Sequence, residues 1–210
     1  MRQGSAVGGG LAGFGALQAY GATVASGQAP GAAAGYGPLA PKAAQNDPSQ
    51  VLNLPAAFNF VVLSRQGVPM SDGNPTPGIF DGAGAYRGRG KDETILIRNH
   101  ENRRRPGEIP VVVPAGLRYD SDPTYNGGDT KLVVARRRTD RRDPSNGRRV
   151  YTYEVTRDFA ILGGTDTNCA GGVIGDQWYT CEEAVSRSSA GRKHGYNYAI
   201  PAYADGQVKA

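Results

Sequence analysis

Apolar and polar positions along this chain alternate in short runs, and no long stretch carries a helical period. Six segments combine β-branched or aromatic residues with partial alternation: Phe58–Arg65 (FNFVVLSR), Glu93–His100 (ETILIRNH), Lys131–Arg138 (KLVVARRR), Val150–Leu162 (VYTYEVTRDFAIL), Gln177–Glu183 (QWYTCEE) and His194–Pro201 (HGYNYAIP). Each predicts a strand. Ile109–Pro114 (IPVVVP) is apolar too, but a proline near each end makes it an edge strand or an extended segment. The stretches SDGNPTPG, DGAG, YNGGDT and DPSNG read as turns between these runs. The pattern predicts an all-β chain. No repeat of fixed period emerges, so periodicity does not decide between sandwich, barrel and propeller.

Composition agrees, because 31 Gly and 14 Pro among 210 residues suit many turns and few helices. The first acid is Asp47, and the opening MRQGSAVGGGLAGFGALQAYGATVASGQAP is weakly apolar and rich in Gly and Ala. Its glycines dilute the transfer energy too far for a stable membrane span. A basic start, a modest apolar core and the small residues of ATVASGQA fit an export signal over residues 1–28 better, with Arg2 as the one basic residue of a twin-arginine-like start. Residues 29–50 lack periodicity and read as a linker, which leaves 51–210 as the folded part.

Charge is concentrated. Between Arg103 and Arg149 there are eleven Arg and one Lys against six acids. A basic surface of this kind suits an anionic partner. The run ARRRTDRRDPSNGRR, however, mixes Asp, Pro and Gly among its arginines and offers no aromatic residue for base stacking, so it reads as solvated loops and not as a nucleic-acid surface.

Several chemistries drop out on motif grounds. The chain has no G-x-S-x-G elbow, no P-loop and no H-E-x-x-H, and its histidines are His100 and His194 alone. What remains is rich in oxygen ligands at strand ends beside glycines: SDG (Ser71–Gly73), DGAG (Asp81–Gly84), RNHE (Arg98–Glu101), TDTNC (Thr165–Cys169) and TCEE (Thr180–Glu183). Such groups suit hard cations such as calcium. A thiolate among them selects a softer ion, iron or zinc. The two cysteines, Cys169 and Cys181, leave two readings open: a disulfide across neighbouring strands, or a metal-binding thiolate beside a small core residue.

Taken in order, RNHE, NCAGG, W-x-TCEE and HGY, with LNLPAAFNFVVLSRQGVPMSDGNPTPGIFDGAGAY before them, resemble the PhoX family of alkaline phosphatases over Leu52 to Ala202. The resemblance implies a β-propeller, of which 51–210 is the N-terminal portion. It implies export to the periplasm or beyond by the twin-arginine route, and phosphomonoester hydrolysis at a calcium- and iron-containing centre. By motif, Cys169 would bind iron, Glu182 and Glu183 would be acidic ligands to the cluster, and Asn99 and Glu101 would bind calcium or support it. Family members are longer than this chain, so the resemblance also implies missing blades and ligands and an inactive chain. The alternative reading is a non-catalytic propeller fragment that binds an anionic partner.

Overall fold

The computed structural model describes residues 36–144 and 147–209, and the signal expected over residues 1–28 lies outside them. The chain divides into two compact units, the described part of Met1–Val62 with Arg141–Arg149, and Leu63–Asp140 with Val150–Ala210. Nine strands make three antiparallel sheets among the described residues, and the one helical element is a single 3-10 turn at Ala115–Leu117. The chain is all-β.

In the first unit β1 (Leu39–Ala43) pairs with β2 (Val51–Pro55), Leu39 opposite Pro55 and Ala43 opposite Val51. This corrects the linker boundary, since part of 29–50 is a strand. LAPKA has no alternation to announce it, and its order comes from the local hairpin with β2. Phe58–Arg65 is the opposite case, because it joins no ladder despite its β-branched residues. Its backbone groups find other partners: Gln45 N–H donates to the Phe60 carbonyl at 3.0 Å, and the Asn46 side chain bonds both N–H and C=O of Val62 at 2.9 and 2.8 Å.

The larger unit holds most of a four-stranded meander, β3 (Phe80–Arg87), β4 (Glu93–His100), β5 (Gly127–Arg142) and β6 (Arg149–Thr165), and a three-stranded one, β7 (Asn168–Ile174), β8 (Gln177–Glu182) and β9 (Asn197–Pro201). The predicted strands at 93–100, 131–138, 150–162 and 177–183 fall on β4, β5, β6 and β8, and the one at 194–201 lies partly on β9. Strand β3 was read as a turn on its Asp-Gly-Ala-Gly, and β7 was not read as a strand at all. Ile109–Pro114 is extended without a ladder, with Val111 and Val113 buried against Ala160.

The core collects Tyr86, Ile95, Ile97, Phe159, Ile161, Leu162, Trp178, Tyr198, Ile200 and Ala202. Strand alternation sets who points inward. Ile95 and Ile97 of β4 are buried, and so is Asn99, the next residue on that face. On β8 the inward positions are Trp178, Thr180 and Glu182, which leaves Glu183 past the strand end and exposed.

Candidate metal centre

Two irregularities bring the acidic groups together. The β3–β4 register slips between Phe80 and Ala83, and the β7–β8 register slips between Asn168 and Gly171. Asp81 lies in the first slip and Cys169 in the second. Bulges of this kind bend a strand and re-aim its side chains. The two bulged segments meet at close range, since a Cβ on Gly82 would sit 2.7 Å from the Cys169 carbonyl. Gly171 is needed for a similar reason, because a Cβ there would fall 2.3 Å from the Tyr179 carbonyl and 2.4 Å from the Trp178 ring.

Glu101, at the end of β4, completes the group. One ligand atom each from Asp81, Glu101 and Cys169 lies within 4.8 Å of the others. The Glu183 side chain lies beside Glu101 and adds to the acidic surroundings of Cys169. Just upstream, Thr167 is held at φ 54 by its N–H on the Asn102 carbonyl at 3.1 Å and by Glu183 N–H on its own carbonyl at 2.9 Å. A β-branched residue in left-handed conformation is strained, and such strain is retained where the surrounding bonds over-determine it. Here those bonds tie the Glu101, Cys169 and Glu183 segments to one another.

The electrostatics follow from packing acids together. Burial holds the Glu101 carboxyl above the usual range, Glu183 adds to the effect, and Arg103 opposes it. Burial pushes the Cys169 thiol up to about 11, reinforced by its contact with Asp81 and by the charges of Asp81, Glu183 and Glu101. The acids around them thus disfavour ionisation of the Glu101 carboxyl and the Cys169 thiol. A cation removes that conflict, which is the sense in which these residues fit a metal. The donor set, a thiolate among carboxylates, suits a transition ion at the sulfur and hard ions at the oxygens.

Of the residues singled out from sequence, Cys169, Glu101 and Glu183 come together, joined by Asp81, which sequence reasoning left inside an oxygen-rich stretch without a role. Its only signal was an aspartate beside a glycine. Glu182 is placed elsewhere. Its Oε1 accepts from the Asp166 N–H at 2.8 Å and from His194 Nδ1 at 2.7 Å, and its Oε2 accepts from the N–H groups of Gly195 and Tyr196 at 2.6 and 3.0 Å. Those four bonds occupy the carboxylate. His194 Nε2 meets Asp120 Oδ2 at 3.1 Å, and the ring stacks on Tyr125. The HGY motif therefore clamps the segment behind the centre.

Asn99 stands behind Cys169. Its amide donates to the carbonyls of Cys169 and Ala170, and its Oδ1 accepts from Trp178 Nε1. The same indole N–H lies 3.1 Å from Asp129 Oδ1, while Asp129 Oδ2 lies near Thr180 without a well-formed hydrogen bond. His100 is buried between the Gly78 carbonyl and Thr130 Oγ1, each at 2.8 Å, and burial with the nearby Arg98 holds its pKa down at about 3. A neutral, doubly bonded imidazole braces β4 and takes no part in the cluster. Cys169 and Cys181 are both free, which removes the disulfide reading.

No helix among the described residues is long and apolar enough to cross a membrane. No curated protein and no solved structure matches the chain. A family model does match, described as alkaline phosphatase PhoX, over residues 34–206. The match takes in every residue of the acidic group and begins ahead of β1. The chain belongs to the PhoX family of alkaline phosphatases.

Proposed function

We propose that this chain carries a metal-dependent phosphomonoester hydrolase site built on Asp81, Glu101, Cys169 and Glu183. The observation that carries the reading is the convergence of Asp81 and Cys169, from the bulged segments of β3 and β7, with Glu101 just past β4, and Glu183 beside them, in a chain of the alkaline phosphatase family. Iron at Cys169 and calcium at the carboxylates match the donors. When bound, such ions neutralise phosphate oxygens and polarise the phosphorus.

The chain's own residues supply position. Asn99 fixes the backbone on both sides of the Cys169–Ala170 peptide, Trp178 fixes Asn99, and the clamp of Glu182 on His194, Gly195 and Tyr196 fixes the segment that ends in Glu183. Preorganisation of this sort lets the ligands meet an ion without paying for rearrangement at that moment.

Two coarser expectations go with this reading. The four-stranded up-and-down order of β3 to β6 is that of a single propeller blade, which supports a propeller as the parent architecture. Export to the periplasm or beyond is supported by the family and by the signal-like character of residues 1–28.

The test is metal content together with hydrolysis of p-nitrophenyl phosphate at alkaline pH, for the wild type, Cys169→Ala and Glu101→Gln. Bound iron and calcium lost in the variants, with hydrolysis lost in parallel, supports the site. Ions bound by the wild type with no hydrolysis favours the non-catalytic reading, and no ion bound sinks the metal centre.

A further inference from the structure

The loop after Glu101 reads Asn102-Arg103-Arg104-Arg105. Arg104 is committed elsewhere, with Nε 3.4 Å from Asp166 Oδ1 and its guanidinium over the Tyr125 ring. Arg98, on β4, is half-buried against the Phe80 ring and bonded to Ser64 and Thr130. Arg103 differs from both. Its Nη2 donates to Glu101 Oε1, inside the acidic group, and its side chain is 41% exposed, whereas that of Glu101 is 7% exposed. The backbone beneath it is fixed: Arg103 N–H donates to both Glu108 carboxylate oxygens at 3.0 Å, and Arg105 N–H donates to one of them at 3.0 Å. A half-exposed guanidinium on an anchored Cα can swing without moving its loop.

We propose that Arg103 is the phosphate-binding cation of this site, parked on Glu101 until a metal ion takes that carboxylate. The inference rests on the metal-site reading above. The reasoning is one of competition. A carboxylate that ligates a cation is a poorer partner for a guanidinium hydrogen-bonded to it, because the cation repels the guanidinium and takes the lone pairs. Released, the guanidinium stays within reach of the ion and presents a planar fork of donors, the geometry that meets phosphate oxygens two at a time. Arg103 therefore opposes the metal at Glu101 and assists the anion the metal attracts. Metal and phosphate binding become coupled through one side chain, and that coupling works in both directions.

Calorimetric titration separates the parts, with calcium alone as the first probe and inorganic phosphate added to the calcium-loaded protein as the second. Wild type, Arg103→Ala and Arg103→Lys are compared. Removal of the parked side chain is expected to tighten calcium binding several-fold in Arg103→Ala and to weaken phosphate binding about tenfold or more, the loss of a charged hydrogen bond. Arg103→Lys, which keeps the charge without the fork, is expected between the two. Phosphate bound equally by wild type and Arg103→Ala overturns the proposal while leaving the metal centre intact. So does a calcium-loaded wild type that binds no phosphate. A wild type that binds no calcium overturns the metal-site reading, and this inference with it.

Discussion

Trp178 Nε1 donates to Asn99 Oδ1 at 2.8 Å, and the Asn99 amide in turn donates to the carbonyls of Cys169 and Ala170 at 2.8 and 2.9 Å. A core indole thus positions a candidate metal thiol through one amide. Trp178→Phe keeps most of the apolar volume but leaves Asn99 Oδ1 buried and without this donor. It is expected to cost about 1–3 kcal/mol. Asn99→Asp, which cannot donate to two carbonyls, should cost at least as much and also shift the thiolate-to-iron absorption band of the iron-loaded protein. Urea denaturation and visible spectroscopy measure the two effects. An unchanged band in Asn99→Asp would mean the amide does not set the thiol's position.

Glu182 and Glu183 are adjacent in sequence and should behave in opposite ways. Glu182→Ala leaves His194 and three backbone N–H groups without their acceptor in the interior, a change expected to destabilise by about 3–5 kcal/mol. Glu183→Gln is expected to leave the unfolding midpoint nearly unchanged and to weaken metal binding clearly. Thermal unfolding read beside metal titration distinguishes them, and the reverse pattern would return Glu182 to the ligand set.

Cysteine chemistry gives a direct check. Both thiols should react in denaturant without reductant, since neither is bridged. In the folded, metal-free protein Cys169 should alkylate slowly at neutral pH and faster as pH climbs towards about 11, because its thiol is pushed up to that value by burial and by the acids around it. Bound metal should protect it. Site-resolved mass spectrometry after iodoacetamide reads all three, and rapid modification of metal-free Cys169 at neutral pH would contradict the packing described.

Asp129 is buried, and burial raises its carboxyl well above the usual range against the opposing contacts of Trp178 and Thr180. The sign follows from linkage. The folded state holds its proton where the unfolded chain has released it, so the group lowers stability as pH rises from the unfolded value, near 4, to the raised one. The slope is at most about 1.4 kcal/mol per pH unit over that interval. Asp129→Asn keeps an acceptor for Trp178 and cannot ionise, so it should unfold at a higher temperature than the wild type at pH 8 and match it more closely near pH 3.5. Equal melting at both would show the carboxyl ionises freely in the fold.

The sequence by itself determined the strand content and much of the strand placement. Ile95 and Ile97, or Trp178 and Thr180, alternate with period two because one face of each strand is buried, and that pattern survives without knowledge of the partner strands. Order of motifs sufficed for the family. Three things required tertiary structure. Strand β3 begins Phe-Asp-Gly-Ala-Gly, which is turn chemistry locally and becomes a strand only because β4 pairs with it and the Cys169–Ala170 backbone packs on Gly82. The choice between Glu182 and Glu183 depended on where β8 stops: period two turns Glu182 inward to His194, and the strand end frees Glu183 for the acidic group. Asp81 escaped the sequence reading because a register slip in β3 brings it to Glu101 and Cys169, a relation between distant segments that no local pattern of residue types encodes.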